Sequence, residues 1–381
     1  MNLIAIKMLV GDRMKYFALV LGVAFASLLI TQQASIFTGY ALQTGAWIRD
    51  TDVADLWVMD PQVEFADDAK PIQNTMLNRV RGIDGVEWAV PMFKGYVTAQ
   101  LPDGTQRNVR LIGLDDTTLI GGPPEMVQGV ASDLRKDKAI FINAEATDDL
   151  ILKQAKPQRP LRVGDSVSLH DNEAVVVGTY RASREFFWEP VFYTTYSRAQ
   201  FVYKENRKHL QYVLVRVTPG QSVVEVQKRI NEATGLKALT SREFENETMW
   251  WILMKTGILI NFGITIGLGL VIGLLVAGQT FYTFILDNLR NFGALKAMGV
   301  GNWRILGMIA VQVLVVAAVG FGLGAGGAAT TGLAFKNVGL AFLMTWPIVL
   351  VGFGSILVCC LLAGLMSIVR VLKLEPGVVF R

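Results

Sequence analysis

Apolar residues are not spread evenly along this chain. Four runs carry no charged side chain at all: Phe17–Ile48, Thr256–Leu286, Ile305–Phe335 and Trp346–Val369. Each exceeds the ~20 residues that a helix needs to cross a bilayer. The pattern predicts spans at residues 17–38, 251–286, 305–329 and 346–369. A polar extension, Gly39–Ile48, continues beyond the first. Residues 1–16 mix apolar positions with Lys7, Arg13 and Lys15, and predict an amphipathic helix on the cytoplasmic membrane surface. A basic start before an apolar run also fits a signal peptide, but the run is long for that and no A-x-A-like cleavage site follows it closely.

Between the first and second spans the pattern changes. Arg49–Arg242 alternates apolar and polar residues and is broken by turn signals such as Pro102-Asp103-Gly104 and Gly121-Gly122-Pro123-Pro124. Alternation predicts strands at 55–59, 86–100, 106–114, 139–143, 166–169, 174–180, 191–195 and 212–217. Helical periodicity appears at Ile72–Val80 and Ser222–Thr234, each followed by Gly and a strand-like segment. A β-α-β unit at each end with a β-rich insertion between them makes an α+β globule large enough for its own core. The fold class is therefore a membrane α-helical protein of four transmembrane helices, with a large extracytoplasmic α+β domain (residues 39–250, stalk extensions included) inserted between helices 1 and 2. Glu243–Lys255 predicts a charged stalk helix with Trp250 and Trp251 at the interface, running unbroken to Leu286. From Trp251 such a helix measures ~50 Å against ~30 Å of hydrocarbon, so it must tilt or protrude. A cytoplasmic segment at 287–304, a short outer loop at 330–345 holding Lys336, and a cytoplasmic tail at 370–381 complete the expected order.

Composition agrees with a multi-pass membrane protein: 52% of residues are hydrophobic and 18% charged, against about 25% charged in soluble proteins. A net charge of +4 with no basic stripe gives no case for nucleic acid. The only cysteines are the adjacent Cys359 and Cys360, within an apolar run, and the only histidines are His170 and His209, so no metal site is expected. No G-x-x-x-x-G-K-[ST], H-E-x-x-H or G-x-S-x-G occurs, so neither a nucleotide cofactor nor catalysis is expected of this chain. The four span cores hold no Asp, Glu, Lys, Arg or His, where an ion-coupled transporter would need ionisable groups or broken helices. Gln32, Gln33, Gln279 and Gln312 are the strongest polar groups there and suit helix–helix hydrogen bonding. The G-x-x-x-G pairs Gly263/Gly267, Gly269/Gly273, Gly320/Gly324 and Gly322/Gly326 are candidate close-packing points. Arg181–Pro190 is a candidate contact surface for lipid or a partner, with core-filling aromatics at Phe186–Trp188 as the favoured reading. The expected inner segments carry nine bases (Lys7, Arg13, Lys15, Arg290, Lys296, Arg304, Arg370, Lys373, Arg381) against three acids (Asp12, Asp287, Glu375). The positive-inside rule then puts both termini in the cytoplasm.

The stretch Asp287–Arg304 (DNLRNFGALKAMGVGNWR) is held between two charge-free runs. Phe292, Leu295 and Met298 recur every third residue, predicting one apolar side on a short helix that Gly299 and Gly301 would end. Arg290 and Lys296 add charge. The residues alone support two readings: an interfacial turn, or a knob that another protein grips to move the attached helices. FGALKAMGVGNWRI (292–305) resembles the cytoplasmic signature of the FtsX/MacB superfamily of ABC-transporter permeases, although Asn291 stands where an acidic residue is common. The resemblance extends over the whole chain. The progression REFENETMWW, GQTFYT, LKAMG looks closest to the DevC-like branch of glycolipid exporters.

What the resemblance implies is a non-catalytic permease subunit in the bacterial inner membrane. Its coupling helix, comprising Asp287, Arg290, Asn291, Phe292, Gly293, Leu295, Lys296, Met298 and Gly299, would dock on a separate ABC ATPase. A second copy would pair with it, and a periplasmic adaptor (membrane fusion protein) would join it to a TolC-like outer-membrane channel for export of lipid, glycolipid or other hydrophobic cargo. An FtsX-like regulator of a cell-wall hydrolase, and a membrane scaffold or sensor without an ATPase, are the alternatives.

Overall fold

A computed structural model describes residues 2–145, 150–152, 158–187, 189–203, 209–335 and 340–372. Trp188, Lys336 and the tail from 373 onward lie outside the described residues, as do the side chains of His209 and Arg370. Two compact units emerge, one made of the chain up to Tyr40 and from Gly257 onward, the other of Ala41–Thr256.

The chain opens with α1 (Asn2–Gly11), α2 (Arg13–Thr44) and α3 (Ala46–Asp50). There follow β1 (Leu56–Met59), β2 (Ile72–Gln73), α4 (Thr75–Arg81), β3 (Val86–Gln100), β4 (Gln106–Leu114) and β5 (Glu125–Gln128). The insertion continues with β6 (Ala139–Asn143), β7 (Ile151–Leu152), β8 (Arg159–Pro160), β9 (Ser166–Leu169), β10 (Asn172–Arg181), β11 (Val191–Thr195) and α5 (Tyr196–Val202). The domain closes with β12 (His209–Leu210), β13 (Tyr212–Val217), α6 (Val223–Thr234), β14 (Lys237–Thr240) and α7 (Ser241–Lys255). The remaining helices are α8 (Ile258–Asp287), α9 (Leu289–Ala297), α10 (Asn302–Ala334) and α11 (Trp346–Leu372). Four of these, α2, α8, α10 and α11, are long and apolar enough to cross a membrane.

In the 41–256 unit one sheet runs β14-β1-β13-β3-β4-β11-β6-β10-β5, with β9 beside β10 and β3. Strands from the two ends of the domain thus lie side by side against the first half of β3, and the insertion extends its second half. Side chains alternate across this sheet as a period of two requires. Leu56 and Val58 of β1, with Val213 and Val215 of β13, face a core closed by Val80 of α4 and by Val226 and Ile230 of α6. Trp57 and Met59, with Tyr212 and Leu214, face the opposite side, where Trp47 of α3 and Phe244 of α7 meet them. Trp57 lies 4.9 Å from Trp47 and 5.5 Å from Phe244 between ring centroids, so the first and last helices of the domain share one aromatic cluster. A third core fills the insertion around Phe93, Ile140 and Phe192.

The start of α7 has a plain local cause. Thr240 accepts from the Glu243 amide at 3.2 Å, and the Glu243 carboxylate accepts from the Thr240 amide at 2.8 Å. This reciprocal capping box satisfies two of the donors a helix start leaves open.

Several expectations are corrected. The helix expected to run from Glu243 through Leu286 is two helices: α7 ends at Lys255, and Gly257 takes φ +72 before α8 begins. Glycine alone enters that left-handed region without strain. At 30 residues α8 is ~45 Å long, still more than the hydrocarbon demands. Trp251, expected beside Trp250 at the interface, stacks on Phe65 at 4.0 Å and donates to the Glu64 carboxylate at 2.7 Å, within the domain. The expected helix at 72–80 starts at Thr75, because Ile72 and Gln73 pair with β12. Residues 1–16 are not one amphipathic helix. Ala5 and Leu9 are buried while Leu3, Ile4, Ile6 and Val10 are exposed, so apolar groups cover more than one side of α1. The aromatics of Arg181–Pro190 do not fill the core: after Arg181 ends β10 the chain leaves the strand, and Phe186 and Phe187 are only half-buried.

Candidate functional site

In the 1–40 and 257-onward unit, α2 packs against α8 and α10, and α11 packs against both of those helices. A Cβ added at Gly269 or Gly273 of α8 would meet Ile30 at 3.3 Å or Ala26 at 2.8 Å. One added at Gly320 or Gly324 of α10 would meet Val23 at 2.6 Å or the Ala24 carbonyl at 2.3 Å. Those four glycines let α8 and α10 approach α2 closely. Gly263, Gly267, Gly322 and Gly326 meet nothing within 4 Å, so they do not pack within this chain's own bundle. Successive G-x-x-x-G pairs offset by a few positions point to different sides of a helix, and only one register in each helix faces α2. Gln312, wholly buried on α10, donates to the Ala5 carbonyl of α1 at 2.9 Å. Ser27 donates to the Phe321 carbonyl at 3.3 Å.

Between α8 and α10 sits α9. Its C-terminal end follows from sequence: Gly299 takes φ +86, its amide donates to the Lys296 carbonyl at 3.0 Å, and the Val300 amide donates to the Leu295 carbonyl at 3.0 Å. That is a Schellman closure, which needs glycine at the left-handed position. The expected stop at Gly299 is thus accounted for, whereas Gly301, with φ −68, caps the start of α10. At the other end, the Asn288 side chain donates to the Phe284 carbonyl at 2.9 Å, and Asn291 donates to the Asn288 side chain at 3.0 Å. Asp287 pairs with Lys15 of α2, with both side chains about half exposed, so solvent screens the pair.

The candidate coupling residues do not share one face. Phe292 is 1% exposed and belongs to the bundle core with Leu9, Phe281 and Ile285; Gly293 beside it is buried too. Leu295 and Lys296 are half-exposed, and Arg290, Asn291 and Gly299 are exposed. Met298, just past the helix end, is 72% exposed. A three-residue spacing lags the 3.6-residue turn, so positions six apart diverge by about 120° around the axis. The exposed apolar pair is instead Met298 and Trp303, the latter 86% exposed at the start of α10. Trp303 lies outside the expected coupling residues; its position between polar Asn302 and Arg304, two residues past Gly301, is the signal for it in the sequence.

A second concentration of charge lies in the 41–256 unit. Lys94 of β3 and Arg110 of β4 are buried, with side chains 3% and 0% exposed. The Lys94 ammonium lies 2.8 Å from Asp67 and 3.7 Å from Glu185. Arg110 pairs with Glu185, lies 3.5 Å from Asp67 and 3.4 Å from Glu189, and donates to the Tyr96 hydroxyl at 3.2 Å. The ammonium also sits 3.7 Å over the Trp47 ring. Burial acts to raise the Asp67 pKa, but the charges of Lys94 and Arg110 outweigh it and hold the carboxyl below its usual range. Burial likewise opposes the charge on Arg110, and Glu185 and Asp67 more than restore it. Each cation faces a carboxylate, yet burial still holds the Lys94 ammonium's pKa below its usual range. Sequence reading missed the cluster because Lys94 and Arg110 occupy ordinary polar positions of alternating strands.

Two family models cover most of the chain. The MacB-like periplasmic core domain matches residues 16–233, more than half of it, and the FtsX-like permease C-terminal domain matches residues 263–376. Among solved structures, the extracellular domain of the noncanonic ABC-type transporter YknZ from Gram-positive bacteria is 15% identical, at a TM-score of 0.35, over 49% of this chain and 99% of that one. The periplasmic region of MacB from Actinobacillus actinomycetemcomitans is 11% identical, at a TM-score of 0.37, over 52% of this chain and 94% of that one. At those scores the assignment rests on the two family models alone. The chain belongs to the FtsX/MacB-type permease family, membrane subunits of ABC transporters.

Proposed function

We propose that this chain is the permease subunit of an ABC exporter, driven through α9 by a separate ATPase. The observation that carries the reading is the build of that segment. A nine-residue helix is closed by its own glycine turn and fixed inward by Phe292. It joins two long apolar helices, and Met298 and Trp303 point away from the bundle core. ATP-driven closure of the ATPase would pull on α9 and so on α8 and α10. Arg290 and Lys296 act as rim charges that set association rate and salt sensitivity.

In this reading both termini are cytoplasmic in a bacterial inner membrane, and two copies form the working pair. The α+β domain engages a periplasmic adaptor and, through it, a TolC-like channel. Cargo is lipid, glycolipid or another hydrophobic compound, as the DevC-like progression suggests. The charge-free spans favour mechanical transmission over passage of cargo between the helices.

The test is the Met298→Ala, Trp303→Ala double variant in cells. Anchors that fill a desolvated pocket are worth ~2 kcal/mol or more each, so ATPase co-purification should fall at least tenfold, with insertion intact and export lost. Normal recruitment and export from correctly inserted protein would remove α9 from the coupling role. Recovery of a cell-wall hydrolase in place of an adaptor would replace export with the regulatory reading.

A further inference from the structure

The insertion of the 41–256 unit carries a groove of about 340 Å³ that the proposed function does not use. By volume it has room for about ten waters. Its walls are the turn from Leu134 to Ala139 that leads into β6, and the segment from Thr194 to Phe201 that ends β11 and forms α5. Five charged residues line it, and four are basic: Arg135, Lys136, Lys138 and Arg198, against Asp137 alone.

The state of those four cations differs. Lys136 is paired with Asp133 at 2.7 Å and Lys138 with Glu173 at 2.7 Å, so their charge is largely offset. The two guanidiniums form no ion pair among the described residues, although Lys138 and then Arg198 hold the Glu173 carboxyl below its usual range. Arg135 donates to the backbone carbonyls of Asp116, at 3.3 Å, and Thr117. Arg198 donates to the Glu173 carbonyl and lies 5.4 Å from the Phe201 ring. Among the described residues neither has a carboxylate within ion-pair distance. Carbonyl partners orient a guanidinium without cancelling its charge.

Two further observations point the same way. The Nε of Arg198 is sealed from water yet makes no hydrogen bond. A buried donor on a charged group left without an acceptor is costly, and such groups in a finished fold have a partner or await one. On the facing wall, Lys138 takes φ +58 without being glycine, and its carbonyl accepts from Val175 at 2.7 Å. Strained backbone of this kind concentrates where a ligand is held.

We propose that this groove binds a phosphate-type oxyanion, held between the guanidiniums of Arg135 and Arg198. Phosphate is favoured over a single carboxylate because guanidiniums on two walls can each address a separate pair of oxygens of one tetrahedral anion. Both free phosphate and a phospholipid headgroup carry this chemistry. The exposed edge of Phe201 leaves room for an attached group in the second case.

The test titrates the full-length protein, in detergent, with inorganic phosphate and separately with glycerophosphoglycerol, a soluble phosphodiester headgroup. Ionic strength is held constant with chloride. Saturable binding to either is expected, and the tighter of the two identifies the source. Arg198→Gln and, independently, Arg135→Gln should each weaken it at least tenfold while the melting temperature stays near that of the parent. Lys136→Gln, whose partner Asp133 already offsets it, should weaken it severalfold at most. Two results would overturn the site: no saturable response to either ligand, or unchanged affinity in a folded Arg135→Gln or Arg198→Gln protein. Should one arginine variant misfold, the other still reports on the site. None of these readouts depends on the ATPase or on export, so failure here leaves the transport reading untouched.

Discussion

The two units of this molecule bury polar groups by opposite rules. In the unit containing α2, no charged side chain is buried among the described residues. Its buried polar side chains are small or neutral (Ser27, Thr31, Ser35, Gln312), and its closest approaches are made by glycine. In the α+β unit, Lys94 and Arg110 are sealed in the interior with Asp67 and Glu185 against them. The difference follows from what surrounds each unit. A helix in lipid cannot exchange a charge with water, so charge is left out and contact comes from backbone proximity. A water-exposed domain can desolvate charges if every one is paired, and gains a requirement that particular loops arrive in register. Here those loops are the β1–β2 connection carrying Asp67 and the β10–β11 connection carrying Glu185 and Glu189. The cluster therefore fixes loops far apart in sequence, while the glycines fix helices.

The sharpest way to break this contrast is to unbalance the ion cluster. Asp67→Ala leaves Lys94 and Arg110 short of one buried carboxylate, and removal of one partner from a buried set costs ~3–5 kcal/mol. Denaturation of the purified protein, followed by the domain's tryptophans, should show that loss. A change under about 1 kcal/mol would mean that water already screens the cluster. The same carboxyl sets a pH dependence. Its pKa is depressed in the folded state, so its contribution is fully present above the ordinary carboxylate range and is lost as pH falls through the folded value. Stability should thus decline on acidification below about pH 4, and less steeply in Asp67→Asn.

Next in size is the glycine contrast. Gly324→Leu forces side-chain atoms towards the Ala24 carbonyl at 2.3 Å and the Leu28 amide at 2.7 Å, both backbone that cannot swing aside. Overpacking of this kind costs about 2 kcal/mol or more. Gly322→Leu, two residues away, meets open space and should leave the melting of the single chain within ~1 kcal/mol of the parent. If both substitutions destabilise alike, the close contact of Gly324 with α2 is not what sets the packing. If Gly322→Leu alone abolishes pairing of two copies, the outward register becomes the intermolecular one.

How much of this was legible beforehand divides along the same line. Long charge-free runs state their own role, and so do β3, β4 and β13, whose alternation matches their observed spans. The break at Gly257 was hidden because apolar runs, Trp250–Met254 and Ile258–Ile260, flank it closely, with only Lys255, Thr256 and the glycine to mark it. Phe292, Leu295 and Met298 look alike in sequence, and only the helix phase and end separate the buried one from the exposed one. The ion cluster was partly accessible. The turn at Pro102–Gly104 sets a hairpin register in which Arg110 faces Tyr96. That places Lys94, two residues along the same strand, on the same side of the sheet. Two neighbouring cations on an inward face demand acids, but nothing local says that Asp67 and Glu185 supply them.

The smallest effect tests the neutral side of the comparison. Among the described residues Gln312 is the largest polar group buried in the membrane unit, and its Nε2 reaches the Ala5 carbonyl while its Oε1 has no partner there. Removing both ends of this side chain removes one hydrogen bond and one unsatisfied acceptor together. Interhelical hydrogen bonds in membrane proteins average only ~0.6 kcal/mol, and an orphaned acceptor costs on the order of 1 kcal/mol or more. Gln312→Leu, nearly the same volume, should therefore be neutral or slightly stabilising for the bundle. Gln312→Ala should cost more, since it opens a cavity against α1. Melting of the two variants side by side decides the matter. A loss above ~2 kcal/mol in Gln312→Leu would show that this unit, too, depends on a buried polar group to fix its packing, and the contrast between the two units would narrow to charge alone.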